Sequence, residues 1–88
     1  MSQNQIIIDV REPYEYQAGH VEGAINIPPA SLSAGAPSLD GIDKNAGLIV
    51  YCRTGSRSAV AIQMLKQMGF TSLTNGINAE HVIKNYLS

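Results

Sequence analysis

The sequence predicts an α/β fold built on a mainly parallel sheet. Four short apolar runs recur along the chain, IIIDV (6–10), AINIP (24–28), GLIVYC (47–52) and TSLTN (71–75). Stretches carrying helix signals separate them. The first and third runs are continuous and β-branched rather than alternating, as expected of strands buried on both faces. Strand–helix alternation of this kind leads to α/β layering.

Taken in order, residues 11–20 (REPYEYQAGH) read as a short helix after the first strand. Pro13 suits its first turn, Glu12 and Glu15 complement the positive end of its dipole, and Gly19 can end it. After the second strand, residues 29–46 are rich in Pro, Gly, Ser and Ala and read as a long connection with one helical turn. Residues 57–68 follow the third strand as the clearest helix: Ala61, Ile62, Leu65 and Met68 share one side, Gln63, Lys66 and Gln67 the other, and Gly69 stops it. Residues 78–88 form a final helix capped by Asn78, with Val82, Ile83, Tyr86 and Leu87 expected on its inner side. No repeat or linker divides the chain, so one domain over 1–88 is expected.

Composition narrows the class. Eighty-eight residues with 44% hydrophobic and 15% charged side chains describe an ordinary globular chain with one core, not a disordered one. The net charge of −1 and the scattered basic residues give no footprint for nucleic acid. One cysteine excludes an internal disulfide and a multi-thiolate zinc site. No apolar run approaches the ~20 residues of a membrane span. The start, MSQNQIIIDV, lacks the charged and apolar regions of a signal peptide. The cytoplasm is therefore the default compartment, although a processed periplasmic chain given a new Met1 would look the same.

That single cysteine, Cys52, is the last residue of a predicted strand. In parallel sheets, ligands collect beyond the carboxyl ends of strands. The next residues, RTGSR, must turn the chain into a helix, and Gly55 permits the positive φ of a tight loop. Such a turn can aim several backbone N–H groups inward, with the first free N–H groups of the helix adding to them. Arg53 and Arg57 bring two of the six basic residues beside the thiol. All of these favour thiolate, so the Cys52 pKa is expected to fall. A purely structural cysteine would be a small buried hydrophobe and would not explain the two arginines and the glycine. A thiolate in an anion cradle fits two chemistries: attack on sulfur to give a persulfide, or attack on phosphorus to give a phosphocysteine.

Three stretches, IIIDVREPYEYQAGHVEGAINIP (6–28), IVYCRTGSRSAVAIQML (49–65) and, more weakly, MGFTSLTNGI (68–77), resemble the rhodanese family of sulfurtransferases in its single-domain form. The resemblance covers nearly the whole chain. It implies a four-stranded, mainly parallel sheet in the order 4-3-1-2 with helices on both faces. Many relatives begin with an extra strand and helix before the aspartate strand, whereas this sequence starts almost at Ile6, so four strands rather than five are expected. It also implies that Cys52 is the catalytic nucleophile and that Arg53, Thr54, Gly55, Ser56 and Arg57 wrap around the transferred sulfur. Related Cys-dependent phosphatases share the fold with a loop one residue longer; the Cys-x4-Arg spacing from Cys52 to Arg57 favours sulfur.

The implied reaction is a double displacement. Cys52 takes the outer sulfur of thiosulfate or a related small anionic donor, and the persulfide then passes it to cyanide or a thiol. Neither a metal nor an organic cofactor is implied, and no nucleic-acid or membrane partner. The alternatives are a sulfur-carrier or protein-binding module that hands sulfur to a protein acceptor and, less favoured by loop length, a Cys-dependent phosphatase or arsenate reductase. An inactive domain is disfavoured because the cysteine is present.

Other polar residues read as structural. His20, in the Gly-His position, is expected to hold the turn into the second strand, and His81 to lie on the outer side of the last helix. Asp9 and Arg11 are expected to fix loops as an ion pair. Thr54, Ser56 and Ser58 offer hydroxyls to the cysteine loop. Glu12, Glu15 and Glu22 form no constrained pair in the sequence and read as surface charges, while Met64 and Met68 read as core. Asn75-Gly76 stands where the family has Gly-Gly, with no tryptophan after it, which leaves the packing of the last helix open.

Overall fold

The structure, a computed structural model, describes residues 5–87; residues 1–4 of the stretch read as lacking a signal peptide, and Ser88 of the expected last helix, lie outside it. Strands β1 (Gln5–Asp9), β2 (Ile25–Asn26), β3 (Gly47–Cys52) and β4 (Ser72–Asn78) form one parallel sheet. Their order is β2-β1-β3-β4, the expected 4-3-1-2 read from the opposite edge. β3 is central and its residues are buried from Leu48 to Cys52, as its continuous apolar run requires.

Side chains alternate across a strand, so β3 feeds two cores. Leu48, Val50 and Cys52 join Ile8, Val10 and Phe70 on one face, beneath Leu32 of α2 (Pro29–Ser33) and Ala61 and Leu65 of α3 (Ser56–Gln67). Ile49 and Tyr51 face the other way, towards Tyr16 of α1 (Pro13–Ala18) and Val82 of α4 (Ala79–Val82). Helices thus cover both faces. The long connection holds α2 and a 3-10 turn, Pro37–Leu39, with Leu32, Ala36 and Leu39 buried. No helix among the described residues is long and apolar enough to cross a membrane.

The C-terminal region departs from expectation. Asn78 does cap α4, its Oδ1 accepting from His81 N at 2.8 Å. The helix then widens into a π-helical turn, Ile83–Leu87. Val82 is buried, but Ile83, Tyr86 and Leu87 are exposed, so only one of the four residues expected on the inner side lies there. The change in helical period after Val82 breaks the spacing that would have aligned them. His81 is half-buried rather than outward, with Nδ1 buried.

β4 runs to Asn78 rather than stopping at residue 75, because a bulge interrupts its pairing: Val50 faces Asn75, while Tyr51 faces Ile77. Gly76 is the extra residue. A Cβ there would lie 2.6 Å from Val82 Cγ2 and 3.0 Å from Ile49 Cγ2. Ile77 adopts φ 72°, a left-handed conformation unfavourable for a β-branched residue.

Asp9 sits at the end of β1 with no exposure. Arg11 binds its carboxylate through Nε at 2.9 Å and Nη2 at 2.7 Å, and the Tyr51 hydroxyl donates to it at 2.8 Å. The expected ion pair is therefore present, with a buried tyrosine as third member. Burial, together with the Asp9 carboxylate, pushes the Tyr51 phenol up to about 12. Two stability predictions follow from these contacts. Gly76→Ala should destabilise the fold by about 1–3 kcal/mol through overpacking against Val82, read as a lowered urea midpoint. Asp9→Ala should cost about 3–5 kcal/mol, since Arg11 and Tyr51 lose their acceptor inside the protein; a loss below about 1 kcal/mol would show the network to be dispensable.

Candidate active site

The end of β3 and the start of α3 build the site. Only Arg53, Thr54 and Gly55 separate Cys52 from Ser56, the first residue of α3. Gly55 closes the turn at φ 94°. The first residues of a helix have N–H groups without an intrahelical acceptor. Two donors in this turn point at the cysteine: Gly55 N lies 3.2 Å and Ser58 N 3.4 Å from Cys52 Sγ.

Cys52 is 2% exposed. Burial pushes its thiol up, yet the Ser58 hydroxyl and N–H and the Thr54 and Gly55 N–H groups outweigh burial and bring it down to about 7. The downward direction matches expectation. Its agents are hydrogen bonds, and the arginines are not among its leading causes.

The loop side chains divide into distinct groups. Ser58 Oγ lies 3.6 Å from the sulfur, but Thr54 and Ser56 are exposed and face each other at 3.3 Å. Arg53 is 70% exposed. Arg57 turns to Glu15, with Nη1–Oε1 2.8 Å and Nη2–Oε2 3.1 Å. Glu15 is thus not a surface charge. Its side chain is 10% exposed, and it also lies 3.9 Å from Arg53. The signal missed was the early position of Glu15 in α1: its Oε1 accepts Glu12 N at 2.9 Å, which fixes the carboxylate towards the loop.

Asn75 supports the loop from behind, which nothing in the sequence indicated. Its Nδ2 donates to Gly55 O at 3.0 Å, and its Oδ1 accepts from Ser58 Oγ at 2.6 Å and Ile77 N at 2.9 Å. His20 stacks on Tyr16 with ring centroids 3.6 Å apart and meets Tyr16 O at 2.7 Å, before the turn into β2.

Cys52 opens into a shallow recess of about 400 Å³ bordered by Arg11, Glu15, Arg53 and Glu80. A larger recess of about 750 Å³ lies at the opposite end of the sheet, around Gln5, Asp43 and Gly47, away from the cysteine. A hydrogen-bonded thiolate at the base of an open recess is suited to nucleophilic attack on a small electrophile.

Comparison with known proteins agrees with this geometry. Residues 1–79 match the family described as the rhodanese-like domain. The chain belongs to the rhodanese family. It is 42% identical over 72 residues to the thiosulfate sulfurtransferase PspE of Escherichia coli, covering 77% of this chain and 64% of that protein. It is 33% identical over 69 residues to the putative sulfur carrier protein YrkF of Bacillus subtilis, covering 78% of this chain and 36% of that protein. The chain therefore spans less than two thirds of either relative. A solved E. coli rhodanese with anions superposes with a TM-score of 0.76 at 38% identity, covering 88% of this chain and 89% of that one.

Ser58→Ala removes the hydroxyl that supports the thiolate. The Cys52 midpoint should move up from about 7, measured as the pH dependence of alkylation. An unchanged midpoint would show that the Ser58 proton serves Asn75 alone.

Proposed function

We propose that this rhodanese moves a sulfane sulfur from a small donor, with thiosulfate as the representative, to a thiophilic acceptor through a persulfide on Cys52. The observation that carries this reading is the convergence of Gly55 N and Ser58 N on Cys52 Sγ within a Cys-x4-Arg loop. The Cys52 thiolate attacks the outer sulfur of thiosulfate, a new S–S bond forms, and the old S–S bond breaks with its electron pair leaving on sulfite. The terminal sulfur of the persulfide then bonds to cyanide or a thiolate, and Cys52 leaves as thiolate. No net oxidation occurs. Loop N–H groups hold the anion at both stages, and Arg53 borders the approach. The two relatives support the two forms of this chemistry, one being named a thiosulfate sulfurtransferase and the other a putative sulfur carrier protein.

Incubation with thiosulfate should add one sulfur atom to the intact mass, removable by cyanide. Cys52→Ser should abolish thiocyanate formation while keeping the fold. The rate should rise as pH increases through about 7, where the thiolate fraction grows. Substantial thiocyanate formation by Cys52→Ser, or hydrolysis of aryl phosphates without persulfide, would overturn the proposal.

A further inference from the structure

Two of the arginines near the sulfur are held by carboxylates. Arg11 is bound to Asp9 through two nitrogens, and Arg57 to Glu15 through two nitrogens. Arg53 extends into solvent and lies 3.9 Å from the same Glu15. Glu80 adds a second carboxylate to the rim. The recess beside Cys52 is lined by two arginines, Arg11 and Arg53, and two carboxylates, Glu15 and Glu80; Arg57, outside that lining, is held by Glu15.

Glu15 cannot easily give way. Oε1 accepts from Arg57 Nη1 and Glu12 N, while Oε2 accepts from Arg57 Nη2. The Arg57 hydrogen bonds, with the Glu12 N–H second, hold its carboxyl down at about 2, so it stays charged at any working pH. A dianion entering the recess passes this fixed negative charge, which lines it together with Arg53.

We propose that Glu15 is a specificity-determining residue that biases the site against dianionic sulfur donors and towards singly charged or uncharged ones, such as organic thiosulfonates and the persulfides of thiols. The inference rests on the sulfur-transfer reading of Cys52. Its physical basis is that repulsion from a fixed carboxylate grows in proportion to the charge on the donor. Removing that charge helps a dianion twice as much, in free energy, as a monoanion. The fold-gain for the dianion is then the square of that for the monoanion.

Glu15→Gln tests this. Glutamine keeps the size of the side chain and the oxygen that accepts Glu12 N, and circular dichroism checks the fold. Thiosulfate serves as the dianion and methanethiosulfonate as the monoanion, since both deliver one sulfur to the same thiolate. Glu15→Gln should raise kcat/KM about tenfold for thiosulfate and about threefold for methanethiosulfonate, chiefly through KM. Added salt should shrink both gains. Asp43→Asn, at the far end of the sheet, removes the same formal charge and should change neither ratio by as much as twofold. Equal gains for both donors, no gain, or the same gains from Asp43→Asn would overturn the role of Glu15. Intact mass separates sulfur transfer at Cys52 from the role of Glu15. If neither donor places sulfur on Cys52, the sulfur-transfer reading itself fails; if both do so without the charge-dependent difference, only the assignment of Glu15 fails.

Discussion

A sulfur anion at the edge of a hydrophobic core must be hydrogen-bonded by the protein itself. Cys52 shares its face of β3 with Leu48 and Val50, so its side chain is directed inward by the same alternation that builds the core. Unpaired charge in such a place is unfavourable by several kcal/mol. The first turn of α3 supplies the compensation, because its N–H groups have no partners within the helix. Bringing them to the sulfur demands an abrupt change from strand to helix. Gly55 makes that possible with its left-handed backbone.

A loop this short needs support from outside, and β4 provides it. The bulge at Gly76 separates the pairing of Asn75 with Val50 from that of Ile77 with Tyr51. Asn75 can then bond both Gly55 and Ser58. The arrangement carries a penalty: Ile77 holds a left-handed backbone angle, a conformation worth about 1–3 kcal/mol of strain in general. The tight approach of Gly76 to Val82 also ties the position of α4 to the bulge. The cysteine loop and the last helix are thus coupled through one irregular strand.

The fold was largely legible because its signals are local or periodic. The continuous run of β3, the helical spacing of α3 and the Asn78 cap each appear in the structure close to where the sequence places them. The cysteine at a strand end was legible for the same reason, and so was the downward shift of its acidity. What could not be read are contacts made across the chain. Glu15 meets Arg57 42 positions away, and Asn75 meets Gly55 20 positions away. Neither pair has a spacing that a linear pattern reveals. The register shift in β4 and the π-helical turn after Val82 likewise depend on packing rather than on propensity. The resemblance to a family pointed to Cys52, but it could not show that Arg57 is already engaged by Glu15.

In the proposed reaction, the inward placement of Cys52 would make the two ends of a persulfide unequal. Its own sulfur is enclosed among core residues and loop amides, whereas an added sulfur must extend towards the open recess. A nucleophile entering from solvent meets the added atom first. Attack there returns Cys52 as a thiolate to donors already in place. Attack on the enclosed sulfur would instead expel hydrosulfide and leave the acceptor joined to the protein as a mixed disulfide. In that reaction the depth of one side chain would impose regiochemistry, steering turnover away from a dead-end adduct without any residue devoted to that task.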